Sequence, residues 1–252
     1  MRRSKQRREQ ILAAIGAGET DVGVLSERFD VSASTVRRDL QRLSGEKAIM
    51  RTYGGAVLAP PVIEESLAER ERTNHLAKEA IARAALAHIN DGETLILDGG
   101  STVAALGQLL HERRLQIVTN NIKLALTLGD APEITLIFLG GSIRSLGMTT
   151  CGPLAEEAMR SLTAAKLFTS ADGLVAGRGL CEASLEQISL KRVMMRQAEQ
   201  TIVLADASKL GRAPQSAWAS LPERWTLITD SNADEKQWRP FEAEGATVVL
   251  AT

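Results

Sequence analysis

Aromatic residues are scarce: three Trp, one Tyr and four Phe in 252 residues. A platform for single-stranded nucleic acid or RNA stacks bases on exposed rings, so that class is disfavoured. Cysteine is rarer still, and Cys151 and Cys181 show neither metal-ligand spacing nor a disulfide framework. The three histidines, His75, His88 and His111, are scattered, which leaves no candidate metal site. Long hydrophobic runs are missing too. The longest, such as ITLIFL at 134–139, fall far short of the roughly 18–20 residues that a membrane span needs. The opening MRRSKQRREQ is charged and is not followed by an apolar stretch of signal-peptide length, so the expectation is a cytoplasmic protein with no membrane partner. Neither GxGxxG nor GK[ST] occurs, which removes the dinucleotide fingerprint and the P-loop, and no cofactor is expected.

What is present is a hydrophobic content of 44%, enough for one large domain or for a small domain beside a medium one. The net charge of -1 conceals an asymmetry. Residues 1–58 carry 11 Lys/Arg against 7 Asp/Glu, and residues 59–252 carry 19 against 24. A basic head on an acidic body fits a polyanion-binding module joined to something else.

Periodicity divides the head into three short helices and a hairpin. Ile11, Leu12 and Ile15 form one apolar stripe, Leu25 and Phe29 a second, and Val36, Leu40 and Leu43 a third. Ser32 in FDVSAST is a natural N-cap for the third helix. AIMRTYGGAVL then supplies two strand-like runs around Gly54 and Gly55, completing a winged helix-turn-helix plan over 1–57. LAPPVIEESLAERERTN reads as a linker, 58–73, and the remainder, 74–252, alternates strands with helices. Strands are expected at 94–98, 116–120, 134–140, 166–172, 201–206, 226–230 and 247–251. Their continuous β-branched and leucine runs fit a mostly parallel sheet covered on both faces, so the fold class is α/β.

On a helical wheel Leu40 and Leu43 lie within about 40° of Val36, which fixes the buried face of the third helix. Ser34, Arg38 and Gln41 point away from it, flanked by Arg37 and Arg42. Arginine forks onto guanine O6 and N7, glutamine onto adenine, and serine onto a phosphate or either base. Alone, such a face also suits an ordinary solvated helix. The preceding helix, the tight turn and the basic extension favour double-stranded DNA.

A second helix start, ILDGGSTVAALGQLL, carries no cation. Glycines expose helix N-terminal amides there, and a phosphate is the natural guest; a tight turn with a serine cap fits the letters equally well. Further polar clusters follow later strands: Thr119, Asn120 and Asn121; Gly140, Gly141 and Ser142; Asp172 and Gly173; Asp206, Ser208 and Lys209. Strand C-terminal ends are where α/β sheets build their ligand crevice.

LSERFDVSASTVRRDLQRL followed by IMRTYGGAVL resembles the N-terminal signature of the DeoR family of bacterial transcriptional repressors. The matching positions are Val31, Ser32, Thr35, Arg37, Arg38, Asp39 and Leu40, then Arg51, Tyr53, Gly54, Gly55 and Ala56. One departure is that the glycine ahead of the wing stands at Gly45, with Lys47 near its usual place. The resemblance implies DNA contacts from the recognition helix (Ser32, Ser34, Thr35, Arg37, Arg38, Gln41, Arg42) and the wing (Arg51, Tyr53, Gly54), with Asp39 orienting an arginine. It continues through DGGST, VTNN, LGG, GPLAE, ISLKRVM and ADASKLG, which look like the blocks of that family's sensor domain. The implied fold is that of ribose-5-phosphate isomerase and the implied effector a phosphorylated sugar or polyol. Gly99, Gly100, Ser101 and Thr102 would hold the phosphate, and Asp98, Thr119, Asn120, Gly141, Asp172, Lys191 and Lys209 would surround the sugar. Arg144 and Glu186 are further members, and Gln187 stands where some relatives have a second acid. RTYGGAVL together with ILDGGST sits nearest to repressors of sugar-alcohol operons.

The function expected is therefore a ligand-responsive repressor of a carbohydrate or sugar-alcohol operon, acting as a homodimer or homotetramer because one winged helix reads too few bases. The competing reading is a sugar-phosphate isomerase-like enzyme with a DNA-binding head. Isomerisation needs a carboxylate base and a second acid or lysine, and TSADGLVAGRGL offers the single Asp172, so no catalytic residues are assigned.

Overall fold

A computed structural model describes residues 7, 8, 10, 11, 13–15, 21–45, 49–52, 55–58 and 64–252, and the side chains at 45, 49–51, 57 and 58 fall outside that description. The chain divides into two compact units, residues 1–63 and 64–252.

In the first unit the described residues between 7 and 15 are helical, and Ile11, Ala14 and Ile15 are buried. Asp21 caps the helix Val22–Arg28, its Oδ1 accepting from the amides of Gly23 at 2.7 Å and Val24 at 3.3 Å. Asp30 turns the chain with φ +48, a left-handed conformation that aspartate tolerates. Ser32 Oγ then accepts from the Thr35 amide at 3.3 Å and opens the helix Ala33–Gly45, as expected of an N-cap. Ile11, Leu25, Val36, Leu40, Leu43 and Ala56 share one apolar cluster. Strands β1 (Ile49–Thr52) and β2 (Gly55–Leu58) pair antiparallel with Thr52 opposite Gly55, so Gly55 begins a strand rather than forming the tip of the hairpin. Leu12, Tyr53 and Gly54 lie outside the described residues.

The second unit is built on β3 (Thr94–Leu97), β4 (Leu115–Thr119), β5 (Ile134–Phe138), β6 (Ser142–Arg144), β7 (Thr149–Cys151), β8 (Ala164–Thr169), β9 (Gly173–Val175), β10 (Gly179–Glu182), β11 (Ala198–Leu204), β12 (Ala217–Ala219), β13 (Trp225–Asp230) and β14 (Ala246–Ala251). Seven of these form one sheet in the order β14-β13-β11-β8-β3-β4-β5, with every neighbour pairing parallel. All seven correspond to runs expected as strands. The short antiparallel pieces, β6-β7 and β12-β10-β9, were not expected from the sequence because three- and four-residue strands are too short to show a period.

Both faces of the sheet are covered. Along β3, Leu95 and Leu97 pack with Ile81, Leu106 and Phe168, while Ile96 packs on the other side with Val118, Met159 and Val193. That double burial is why these strands read as unbroken apolar runs. The chain steps outward from β3 to β5, returns to β8 on the other flank of β3, and then steps outward to β14. Direction reverses between β3 and β8, and in a parallel sheet the ends of such strands diverge into a crevice.

The expected linker is divided. Residues 64–73 belong to the second unit, where Leu67–Arg72 is a helix closed by a capping box between Ser66 and Glu69. Leu67 is buried and its amide donates to Leu146 O at 2.8 Å. One anchoring leucine in a charged run leaves no periodic signal in the sequence. Among the described residues no helix is long and apolar enough to cross a membrane.

Candidate functional site

The crevice between the ends of β3 and β8 holds two adjoining chambers. The first is bordered by Asp98, Gly99, Gly100, Asn120, Thr149, Ser170, Glu182, Gln187 and Lys191. The second is bordered by Ser101, Thr102, Asn74, Lys78, Asp206, Ser208, Lys209 and Arg212. Arg70, Ser170 and Ala171 border both.

The polypeptide reaches this crevice through a backbone only glycine allows. Gly100 has φ +119 and opens the helix Ser101–Gly107, and a Cβ on it would collide with Ser170 Oγ. This helix start has no side-chain cap, and Ser101 and Thr102 in its first turn border the second chamber.

The floor of the first chamber is a buried charge cluster. Lys191 Nζ donates to Asp98 Oδ2, to Ser170 O at 2.8 Å and to Thr169 Oγ1 at 3.1 Å, and lies 3.1 Å from Glu182 Oε1. Burial works against its charge, but the Asp98 and Glu182 carboxylates outweigh that cost and hold its pKa above the ordinary lysine value. Glu182 is less well compensated. Burial, together with the Asp172 and Asp98 charges, pushes its pKa up to about 7 in spite of Lys191. Gln187 Nε2 donates to Glu182 Oε2 at 3.2 Å. Asn120 donates to Thr150 O at 3.0 Å, yet its buried Oδ1 has no hydrogen-bond partner among the described residues. A buried acceptor left unpaired costs ~1–3 kcal/mol, so a hydroxyl donor from a guest would be well placed there.

The second chamber is cationic. Lys78 Nζ donates to Thr73 O at 2.7 Å and to Arg70 O, and burial lowers its pKa despite the nearby Asp206. Lys209 and Arg212 stand across from it. Four cations, counting Arg70, face the acids Glu65 and Asp206.

Asp98, Gly99, Gly100, Asn120 and Lys191 thus meet in one chamber and Ser101, Thr102 and Lys209 in the other. Five expected residues, Thr119, Gly141, Asp172, Arg144 and Glu186, border neither. Thr119 Oγ1 donates to Leu97 O at 2.6 Å and accepts from the Asn121 amide at 3.0 Å, which commits it to joining β4 to β3. Gly141, at φ +117, is pressed against the Cys151 carbonyl and serves a turn. Asp172 is buried behind the wall, 3.7 Å from Arg70 and accepting from Gln215 Nε2 at 3.2 Å, so it holds an arginine instead of facing the cavity. Arg144 is occupied by Glu64 in a two-pronged ion pair. Glu186 accepts from Cys151 Sγ at 3.3 Å, and burial with that contact pushes the thiol up to about 11. Arg70, Lys78, Glu182 and Arg212 also line the crevice, and no local pattern in the sequence marks them. Arg70 lies in a run that reads as linker, and Glu182 ends a strand of four residues, too short to show a period.

On the helix Ala33–Gly45 the structure exposes Ser32, Ser34, Arg37, Arg38, Gln41 and Arg42, half-buries Thr35 and buries Val36, Leu40 and Leu43. Ser32 Oγ lies 2.8 Å from Ser34 Oγ and 2.9 Å from Thr35 Oγ1. Asp39, on the inner side, pairs with Arg7 at 2.7 Å and lies 3.9 Å from Arg8. Arg51 is in β1, and its side chain is outside the described residues.

Comparison with known proteins matches residues 7–61 to the DeoR-like helix-turn-helix domain and residues 73–231 to the DeoR C-terminal sensor domain. The HTH-type transcriptional regulator YulB of Bacillus subtilis is 35% identical over 88% of this chain and 86% of its own length. The HTH-type transcriptional repressor CsqR of Escherichia coli is 30% identical over 89% and 87%. The HTH-type transcriptional regulator GlpR of Haloferax volcanii is 30% identical over 97% and 96%. Among solved structures, ribose 5-phosphate isomerase A from Methanocaldococcus jannaschii overlays with a TM-score of 0.41 at 19% identity, over 54% of this chain and 55% of that one, a likeness too slight to carry function. Two matched domains and relatives of nearly full length agree: the chain belongs to the DeoR family of helix-turn-helix transcriptional regulators, and it is a regulator rather than an enzyme.

Proposed function

We propose that this regulator represses a carbohydrate or sugar-alcohol catabolic operon and that a phosphorylated sugar or polyol, bound at the β3/β8 crevice, lowers its affinity for the operator. The observation that carries the reading is the division of the crevice into two chemically different chambers. One offers carboxylates, amides and the unpartnered Asn120 Oδ1, which suit hydroxyl groups. The other offers uncapped helix amides and an excess of cations, which suit a dianion.

The DNA contacts we assign are Ser34, Arg38 and Gln41 to base edges, with Ser32, Thr35, Arg37 and Arg42 on the flanking backbone. The wing residues Arg51, Tyr53 and Gly54 belong to the same proposed interface. A homodimer, or a homotetramer built as a dimer of dimers, would place two recognition helices on two half-sites. If the effector binds better to a conformer whose heads are misplaced, operator affinity drops by that difference, typically ~1–3 kcal/mol.

The test is a thermal-shift screen of phosphorylated and unphosphorylated sugars and polyols, followed by the effect of each hit on binding to DNA upstream of the protein's own gene. Stabilisation by phosphorylated members alone, with weakened DNA binding, is the expected result. Equal stabilisation by the unphosphorylated compounds would remove the phosphate from the reading.

A further inference from the structure

We propose that Arg70 reads the anionic group of the effector, and that the segment carrying it, residues 64–73, is the part that moves and passes occupancy on to the DNA-binding unit. This rests on the crevice being an anionic-polyol site, as argued above.

Arg70 occupies the boundary between the chambers. Its buried Nε has no hydrogen-bond partner among the described residues, and its guanidinium touches Asp172 only at 3.7 Å. A guanidinium is a planar fork of five donors, so this arrangement leaves it under-used in a buried place. An anion oxygen at the chamber boundary would satisfy the fork in a way that Asp172, at that distance, does not. Arg70 thus has two alternative partners, the wall carboxylate without effector and the effector anion with it.

The segment around it is lightly attached. Within 64–73 only Leu67 is a buried hydrophobic residue. The remaining ties are few and polar. Glu64 pairs with Arg144, Glu71 pairs with Lys123 at 2.6 Å, the Leu67 amide donates to Leu146 O, and Lys78 holds the carbonyls of Arg70 and Thr73. Segments with so little apolar burial are the ones that open first. Lys78 and Lys123 hold the segment from residue 70 to 73, so when the Arg70 side chain changes partner the displacement is taken up on the Glu64 side. Glu64 is the first residue of the second unit and follows directly on residue 63, where the DNA-binding unit ends. Movement there reaches the head through the chain itself.

The experiment uses the full chain, an operator fragment from its own upstream DNA, and glucitol 6-phosphate and glycerol 3-phosphate as probes, with inorganic phosphate and glucitol as controls. The wild type is expected to bind at least one probe and to lose operator affinity about tenfold, within the usual range of allosteric coupling. Amide hydrogen exchange over 64–73 should change when that probe binds. Arg70→Gln should weaken the probe at least tenfold, and Arg70→Lys should fall between. Glu64→Gln, which borders neither chamber, should bind the probe within about twofold of wild type while its operator response falls below about threefold. If the wild type binds neither probe, the crevice reading fails and this proposal with it. If the wild type binds and responds while Arg70→Gln or Glu64→Gln gives the same response, or exchange over 64–73 stays unchanged, the proposal is overturned and the crevice reading stands.

Discussion

Lys191 Nζ sits 3.1 Å from Glu182 Oε1, with both side chains almost wholly buried beneath the crevice. One ammonium serves two carboxylates, Asp98 and Glu182, so the floor of the site holds one acid more than its lysine neutralises. The consequence is a carboxyl that titrates near neutrality.

The folded protein retains the Glu182 proton up to about pH 7, whereas the unfolded chain releases it near the ordinary value of 4.5. The contribution of this group to stability is therefore greatest in acid and is lost as pH rises from about 4.5 towards 7. Glu182→Gln should flatten that part of the pH-stability curve. Melting temperatures at pH 5 and 7.5 check it, and an unchanged difference between the two pH values would contradict the burial argument.

Arg38 is exposed on the outer face of the helix Ala33–Gly45, proposed above to read the operator. Arg38→Ala should cost ~1–3 kcal/mol of operator binding, the worth of one bidentate base contact. Stability should change by less than about 0.5 kcal/mol, as for other surface substitutions. Fluorescence anisotropy at moderate salt, with a melting curve of the same sample, separates the two.

Asp39 is buried on the inner side of that helix, with Arg7 at 2.7 Å. Removing one partner of a largely buried pair leaves the other charge uncompensated, so Asp39→Ala should destabilise the DNA-binding unit by ~3 kcal/mol. Denaturant midpoints measure this directly. A midpoint equal to wild type would mean that Asp39 is a surface group after all.

Gly100 is held at φ +119 beside Ser170. Gly100→Ala meets both a conformational and a steric obstacle, with a backbone cost of ~1–3 kcal/mol, and narrows the crevice. The expected outcome is a lower melting temperature together with loss of stabilisation by any phosphorylated polyol that protects the wild type.

Lys209 borders the cationic chamber and its side chain makes no part of the sheet core. Lys209→Ala should reduce affinity for a phosphorylated effector about tenfold, the scale of one lost charge-assisted contact. Its operator affinity without effector should remain that of the wild type. Calorimetric titration and a DNA-binding isotherm on one preparation decide between a local and a global effect.

Much of the architecture is legible in the letters. The seven strands of the sheet stand out because burial on both faces demands uninterrupted apolar runs, as at Leu95, Ile96 and Leu97. The outward face of the helix Ala33–Gly45 follows from the spacing of Val36, Leu40 and Leu43, since a helix cannot bury those three without exposing Ser34, Arg38 and Gln41. The polar ends of strands are visible too, but not which of them face the cavity. Asn120 and Thr119 are adjacent in sequence, and only Asn120 borders the chamber, because successive side chains at a strand end leave in opposite directions.

The sequence by itself determined the two-part organisation, the exposed and buried faces of the helix Ala33–Gly45 and the parallel sheet, because each depends on local periodicity and capping. Tertiary structure decided that β8 lies beside β3, which alone brings Lys191 and Glu182 under Asp98 across the crevice. It also turned part of an expected linker into a wall of the site, placing Arg70 between two chambers. Such pairings join residues far apart in the chain, and no local pattern records them, since the energy that fixes them is burial shared among distant segments.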